Sequence, residues 1–454
     1  MNLNKILALG LLAGCSAAAM AVPARPGLRT YQQPDGSEIT LTLVGDEHFH
    51  TFLTTDGLTV ERGEDGTFYY LTTEGLTDIA VHNPTMRQFA EKAFVKSISA
   101  KADLEALLEV NEESIAAMRA STVPTRAGKT QVPNTGSPRV PILLVEYKDV
   151  KFKDADPLAT FKEFFLTGEA SARRYFEDQS NGKFTPQFDV YGPVTLSSNR
   201  RVYGANQGGT PGKDVGVGKM VAEAVKALDS EIEYSLYDND KDGECDVMII
   251  LYAGDGENSS PSRDAANAIW PCQWSLSGSD YGLPLNCDRT VINKFAVFNE
   301  LSGFDLKKID GIGTFCHEFS HCLGLPDFYD TNYRYFGMGM WSLMDTGSYN
   351  NKCYTPCGYS AYEKAFMGWI DIEEGVRGTH YTLPVFNSKD ASKDIAVRLT
   401  NDRDPDEYFI LENRRLQGWD SYMPAEGLFI YHVTYDADVW SKNEVNKKAV
   451  QRMT

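Results

Sequence analysis

One stretch, from His317 to Asp327, constrains the fold of this chain more than any other; it reads His-Glu-Phe-Ser-His-Cys-Leu-Gly-Leu-Pro-Asp. Residues four apart share one face of an α-helix, so a helix here directs His317 and His321 at the same cation. Gly324 predicts the end of that helix, because glycine adopts the left-handed conformation found at helix C-caps. The chain then turns back, and Asp327 can add a carboxylate oxygen to the same cation.

These residue types are those of a catalytic zinc site. Zinc in such a site takes three protein ligands, here His317, His321 and Asp327, and leaves a fourth position to water. Glu318 lies beside the open position and is the expected general base. Two alternatives stay open. Glu363, on a later predicted helix, could replace Asp327 as third ligand, or the helix could simply be packed, with histidines that only make hydrogen bonds.

A second motif follows at residues 339–347, Gly-Met-Trp-Ser-Leu-Met-Asp-Thr-Gly. Together the two motifs resemble the metzincin zinc peptidases, and most closely the immune inhibitor A family of secreted bacterial metalloendopeptidases. The resemblance implies an α/β fold with a metzincin-like zinc peptidase domain. It also implies that Met344 lies under the zinc as an apolar floor, and that a tyrosine, Tyr349 or Tyr354, binds the oxyanion. Most metzincins have histidine where this chain has Asp327.

The N-terminal sequence predicts export from the cytoplasm. Lys5 gives a positive start, a short apolar run follows, and Ala19-Met20-Ala21 fits a signal peptidase site. A second interpretation takes Leu12-Ala13-Gly14-Cys15 as a lipobox with Cys15 lipidated, which gives a cell-surface lipoprotein. No apolar run is long enough to span a bilayer, so no transmembrane segment is expected.

The net charge of -19 restricts the partners. Nucleic acids and anionic membranes bind basic surfaces, so neither is expected as a partner. Proteins or peptides are the expected substrates. The sequence gives no indication of the oligomeric state.

Changes in sequence pattern divide the chain into five parts. The middle linker is rich in Ser, Thr, Pro and Gly and offers Arg126 and Lys129 as candidate processing sites. The resemblance implies that relatives continue beyond the last part, so that this part is truncated. In order, the parts are a signal peptide (1–21), a β-rich N-terminal prosegment (22–100), a helix and linker (101–137), the zinc metallopeptidase domain (138–372) and a C-terminal β-rich domain (373–454).

An acidic turn interrupts the predicted peptidase domain. Its carboxylates are those of Asp238, Asp240, Asp242 and Asp246. With Gly243 at the sixth position, this spacing is typical of a loop that wraps oxygen ligands around calcium. The match to an EF-hand is incomplete, because Ile249 stands where an EF-hand has its bidentate glutamate. The second interpretation is an acidic turn that only caps the following strand.

A predicted strand from Phe295 to Phe298 leads toward the zinc helix. Two roles are open for it: pairing with an extended substrate as an edge strand, or packing inside the core.

Eight cysteines are present, and Cys353 with Cys357, or Cys272 with Cys287, could form a disulfide. Cysteines also flank the two zinc histidines, but they lie round the helix from the histidine face and are expected to pack or to pair.

We therefore expect a secreted zinc-dependent metalloendopeptidase in which Glu318 takes a proton from a zinc-bound water. The alternative is a secreted calcium-stabilised binding or adhesion protein with a structural or vestigial zinc site. A structural site is closed by four protein ligands. The open three-ligand set, with Glu318 beside it, favours the enzyme.

Overall fold

The computed structural model describes residues 20–98, 102–118, 130–206, 214–331, 333–388 and 394–447, with the backbone alone for 112–118. Cys15, most of the predicted signal peptide and the candidate processing sites Arg126 and Lys129 lie outside these residues. Among the helices that are described, none has both the length and the apolar character needed to cross a membrane.

The first sheet is an antiparallel meander whose six strands pair in chain order. Alternate residues of the second strand, Ile39, Leu41 and Leu43, are buried, as expected for a strand with one covered face. That face packs against a helix carrying Phe94 and Ile98. The elements of this N-terminal sheet are β1 (Arg29–Gln32), β2 (Glu38–Gly45), β3 (His50–Thr54), β4 (Thr59–Arg62), β5 (Phe68–Thr72), β6 (Gly75–Ala80), α1 (Phe89–Ile98) and α2 (Leu104–Met118).

The central sheet carries the candidate site and has the order β10-β13-β9-β7-β8, with β14 paired to β13. The strands β13, β9, β7 and β8 are parallel, and β10 is an antiparallel strand at one edge. β9 is buried along its whole length, because helices cover both faces of the parallel part. The strands in this region, including a small hairpin of β11 and β12, are β7 (Arg139–Glu146), β8 (Gln187–Thr195), β9 (Met248–Asp255), β10 (Cys272–Ser275), β11 (Leu285–Cys287), β12 (Thr290–Ile292), β13 (Lys294–Ser302) and β14 (Asp305–Ile309).

Helices pack on the two faces of the central sheet. Phe315 and Phe319 of α7 lie with Ile249 of β9 in the core on one face. Val221 of α6 lies with Ile250 in the core on the other face. The helices are α3 (Pro157–Lys162), which continues into a π-turn, α4 (Ala172–Gln179), α5 (Arg201–Gly204), α6 (Val217–Ala227), α7 (Ile312–Cys322) and α8 (Ala361–Phe366).

A third, C-terminal sheet follows, and the chain then returns to the central sheet. Trp440 of the last helix is buried, with its ring 4.6 Å from that of Phe366 and 6.0 Å from that of Phe328. The elements are β15 (Glu373–Glu374), β16 (Val385–Phe386), β17 (Val397–Asn401), β18 (Asp404–Arg414), β19 (Gly427–Thr434) and α9 (Ala437–Ser441).

Two open questions of the sequence are answered by this architecture. The stretch from Phe295 to Phe298 lies inside the sheet, in β13 between β10 and β9, so the hypothesis of edge pairing by this strand is wrong. The edge strand on this side of the sheet is β10. The described cysteines, among them both pairs considered for disulfides, all carry free thiols.

Candidate metal centre

The turn after α7 brings the first ligands together. Gly324 has a φ of +94°, and the amide of Leu325 donates to the carbonyl of Ser320, so the helix ends in a left-handed cap. The chain reverses there. As a result the carbonyl of Leu325 accepts a hydrogen bond from Nδ1 of His321 at 2.7 Å.

The other histidine is fixed by the segment that contains the second motif. Nδ1 of His317 lies 2.7 Å from the carbonyl oxygen of Leu343. This segment approaches the helix closely, because a Cβ on Gly313 would lie 1.9 Å from the carbonyl oxygen of Ser348. The glycine therefore permits a backbone contact that holds the motif against α7.

Three ligand atoms converge beside α7. Nε2 of His317 and Nε2 of His321 lie 3.0 and 3.5 Å from Oδ1 of Asp327, and all three atoms lie within 4.8 Å of one another. All three residues are buried, and these atoms make no hydrogen bond within the described part of the chain. Because each Nδ1 must donate to its carbonyl, each Nε2 keeps a free electron pair. The donor set therefore fits a metal ion such as zinc.

The electrostatics of Asp327 agree with a ligand role. Burial alone would raise the pKa of its carboxyl group. When the facing imidazoles of His321 and His317 also carry a proton on Nε2, they outweigh this effect and hold the pKa well below its usual value. The carboxylate therefore stays ionised, as a metal ligand must.

Glu318 lies next to these ligands on α7 and is fully buried. Burial raises the pKa of its carboxyl group well above the usual range. Its Oε1 accepts the backbone N–H of Val22 at 2.5 Å, while Oε2 has no hydrogen bond to described residues.

The N-terminal segment, residues 20–25, lies in the cleft beside these residues. Met20 pairs with Gln273 of the edge strand β10 in an antiparallel bridge, with N–H to O distances of 2.8 and 2.7 Å. Nε1 of Trp270 donates to the carbonyl of Val22 at 3.1 Å. Met20, Ala21 and Val22 are all buried. This pairing is that of an extended peptide added to a sheet edge.

Two tyrosines contact carbonyls of the N-terminal segment. The hydroxyl of Tyr329 donates to the carbonyl of Ala21 at 3.0 Å, and that of Tyr349 to the carbonyl of Pro23 at 2.6 Å. Tyr354, the other sequence candidate, donates instead to the carbonyl of Ile309. The sequence analysis missed Tyr329, although it stands two residues after Asp327.

The structure gives Glu363 and Met344 other partners. The carboxylate of Glu363 accepts from the hydroxyls of Ser342 and Ser360, at 2.9 and 2.7 Å, and forms the capping box of α8. The ligand cluster contains Asp327 and not Glu363. Met344 is fully buried, and its carbonyl accepts the N–H of Phe328. Its role as a floor beneath the metal stays a prediction.

The acidic turn forms a second, looser cluster. Carboxylate oxygens of Asp238, Asp240 and Asp246 lie within 4.8 Å of one another. Asp242 is not in this group, and its Oδ1 accepts the N–H of Glu244. Asp238 accepts the N–H groups of Asp242 and Gly243, as a turn-capping aspartate does. Calcium binding here stays a prediction.

Three ligand atoms without hydrogen bonds to described residues lie beside a buried glutamate, and a metal-dependent hydrolase requires this combination. The site therefore places the protein in that class. Residues 144–370, half of the chain, match the family model described as the immune inhibitor A peptidase M6 catalytic domain. The chain belongs to this family of metallopeptidases.

Individual relatives agree with the family assignment. The chain is 27% identical over 333 residues to the pre-pro-metalloprotease PrtV of Vibrio cholerae serotype O1 (strain M66-2), which covers 66% of this chain and 34% of the relative. It is 28% identical over 306 residues to immune inhibitor A of Bacillus thuringiensis subsp. alesti, and the aligned region covers 56% of this chain and 44% of that relative. The chain thus spans less than half the length of either relative.

Proposed function

We propose that this chain is a secreted zinc-dependent metalloendopeptidase that hydrolyses peptide bonds of proteins, and that it is made as a zymogen. The observation that carries the proposal is the convergence of three buried ligand atoms, on His317, His321 and Asp327, with no other partner in the described part of the chain. Among the residues that the structure describes, the cluster has three candidate ligands and not four, which supports a catalytic role over a structural one.

Each residue of the site has a chemical task. Zinc held by His317, His321 and Asp327 would lower the pKa of a water and polarise the scissile carbonyl. Glu318 takes the proton of the attacking water and gives it to the departing amine. Burial favours this exchange, because it raises the pKa of the Glu318 carboxyl group and so makes the carboxylate a better proton acceptor.

The peptide unit between Ala21 and Val22 indicates how a substrate would lie. Its nitrogen donates to Glu318 and its oxygen accepts from Tyr329. These are the two atoms that change during hydrolysis, since the nitrogen gains a proton and the oxygen becomes negative. Tyr329 is therefore assigned to the carbonyl oxygen of the scissile bond, in place of both sequence candidates, Tyr349 and Tyr354. Tyr349 holds the carbonyl one residue further on.

The same segment supports the zymogen proposal. Val22 and Pro23 follow the predicted signal peptide and would remain in the zymogen. While the N–H of Val22 contacts Glu318 and the carbonyls of Val22 and Pro23 accept from Trp270 and Tyr349, no substrate can reach these groups. The N-terminal sheet reinforces this contact, because the ring of His50 in β3 stacks on Trp270 with centroids 4.6 Å apart. The name of the Vibrio relative, a pre-pro-metalloprotease, agrees with an N-terminal prosegment.

The proposed function is tested by metal content and proteolysis in the same preparations. After exhaustive dialysis, the parent and Glu318→Ala should each hold about one zinc per molecule, and His321→Ala none. After processing, only the parent should cleave a protein substrate such as casein. His432→Ala is the matched histidine control, because His432 lies on β19 and contacts Glu407 instead.

Two results would refute the proposed function. A parent protein without zinc would favour the binding or adhesion alternative. Full activity in Glu318→Ala would remove this residue from the mechanism, whatever the metal content.

A further inference from the structure

The side chain of Asn443 holds Asp327 at two points. Oδ1 of Asn443 accepts the backbone N–H of Asp327 at 2.7 Å, and Nδ2 donates to Oδ2 of Asp327, also at 2.7 Å. The orientation of the Asn443 amide is unambiguous, because a backbone N–H can meet only the amide oxygen. Asn443 is itself buried, so water does not compete for these hydrogen bonds.

These two hydrogen bonds give the two oxygens of the Asp327 carboxylate different roles. Oδ2 is occupied by Asn443, while Oδ1 remains free and faces Nε2 of His317 and Nε2 of His321. Without the hydrogen bonds to Asn443, the side chain of Asp327 could rotate about its bonds. Metal binding would then be weaker, because the metal would have to order this side chain. The amide of Asn443 therefore holds the carboxylate of Asp327 in the orientation that a metal ion requires.

The segment that carries Asn443 is anchored beside the ligand loop. Trp440 packs against Phe328 and Phe366. Nδ2 of Asn446 donates to the carbonyl of Phe328 at 2.8 Å. The backbone of Asp327 and Phe328 is thus held from outside by two asparagines of one segment.

We propose that Asn443 is a positioning residue for the catalytic metal, and that the metal centre extends beyond the matched catalytic domain. Residues 144–370 supply the three ligands, but the group that orients the third ligand comes from the segment after β19. This inference rests on the zinc site proposed above. Its consequence is that the peptidase region binds zinc tightly only when the C-terminal segment is docked.

The experiment measures zinc affinity of the full chain by competition with a chromophoric chelator. Asn443 has a φ of +55°, which glycine adopts readily, so Asn443→Gly removes the side chain without adding backbone strain. Loss of a group that orients a metal ligand typically weakens metal affinity about 10–100-fold, and we expect that range for Asn443→Gly.

Asn446→Gly is the matched control. It removes an asparagine with a φ of +64° from the same segment, but one that contacts Phe328 and not the ligand side chain. We expect its zinc affinity to stay within about 3-fold of the parent value, well below the effect expected of a residue that orients a metal ligand. If Asn443→Gly does not fold, Asn443→Asp replaces the donor to Oδ2 by an acceptor in the same volume and should show the same loss.

Three outcomes would overturn the proposal. One is an unchanged zinc affinity in both Asn443 variants, and another is an equal loss in Asn446→Gly, which would assign the effect to docking of the segment. Both leave the proposed function intact. The third, a parent chain that binds no zinc, would remove the proposed function together with this inference.

Discussion

Replacing Tyr329 by phenylalanine removes one oxygen atom and tests the assignment of substrate groups in the cleft. The hydroxyl lies 3.0 Å from the carbonyl oxygen of Ala21, and the nitrogen of the same peptide unit, that of Val22, contacts Glu318. Tyr329 is only 6% exposed. Loss of one oxyanion donor costs about 10²–10³-fold in kcat, or about 2.7–4 kcal/mol. We expect the lower end, about 10²-fold, because a metal ion would share the negative charge.

The assay separates this role from simple binding. Each protein is assayed after removal of the proposed prosegment, by an added protease of another class where a variant does not process itself, and a fluorogenic peptide is the substrate. Tyr329→Phe should lower kcat with little change in KM, because its bond strengthens only as charge develops. Tyr349→Phe should mainly raise KM, because Tyr349 contacts the carbonyl of Pro23, outside the scissile unit.

Tyr354→Phe is the control, since its hydroxyl contacts the carbonyl of Ile309. If Tyr329→Phe and Tyr354→Phe both keep the kcat of the parent, Tyr329 only holds the N-terminal segment and the assignment is wrong.

Three further predictions concern stability. Burial raises the pKa of Glu61 to about 7. The contribution of this carboxyl group to stability is therefore complete near its unfolded pKa of about 4.3 and is lost as the pH rises toward 7, so Glu61→Gln should reduce the loss of melting temperature between pH 5 and pH 8. Calcium, but not magnesium, should raise the melting temperature of the parent and not of Asp246→Asn, if the acidic cluster binds it. Gly313→Ala should destabilise the protein by about 3 kcal/mol in urea unfolding, because its Cβ would overlap the carbonyl of Ser348.

Each of these predictions can be contradicted by the measurement that tests it. A pH dependence that is the same in Glu61→Gln would show that other groups cause it. An equal response of the parent and Asp246→Asn to calcium would leave the acidic segment as a strand cap. A Gly313→Ala variant as stable as the parent would mean that the segment after Met344 can move away from α7.

The local part of the site could be predicted because short-range rules determine it. The spacing of His317 and His321 follows from the helical repeat, and the return of the chain to Asp327 follows from the left-handed Gly324. The buried strand β7 could also be predicted, since its continuous apolar run is typical of a parallel strand.

The rest depends on contacts that sequence spacing does not encode. Asn443 meets Asp327 across 116 residues, and Tyr329 meets Ala21 across 308. For the same reason the sequence left two roles open for residues 295–298, edge strand or core strand, because strand order is a property of the assembled sheet. A signal for Tyr329 did exist, namely its place two residues after the candidate ligand Asp327.

The edge strand β10 has a further consequence for the solubility of the processed protein. An uncovered edge presents unpaired N–H and C=O groups, which invite pairing with a strand of another molecule and hence aggregation. Before the predicted cleavage after Ala21, Met20 covers this edge at Gln273. If the N-terminal segment is removed as proposed, the four residues of β10 form the open part of this edge, which suffices for a short peptide but offers little length for self-association.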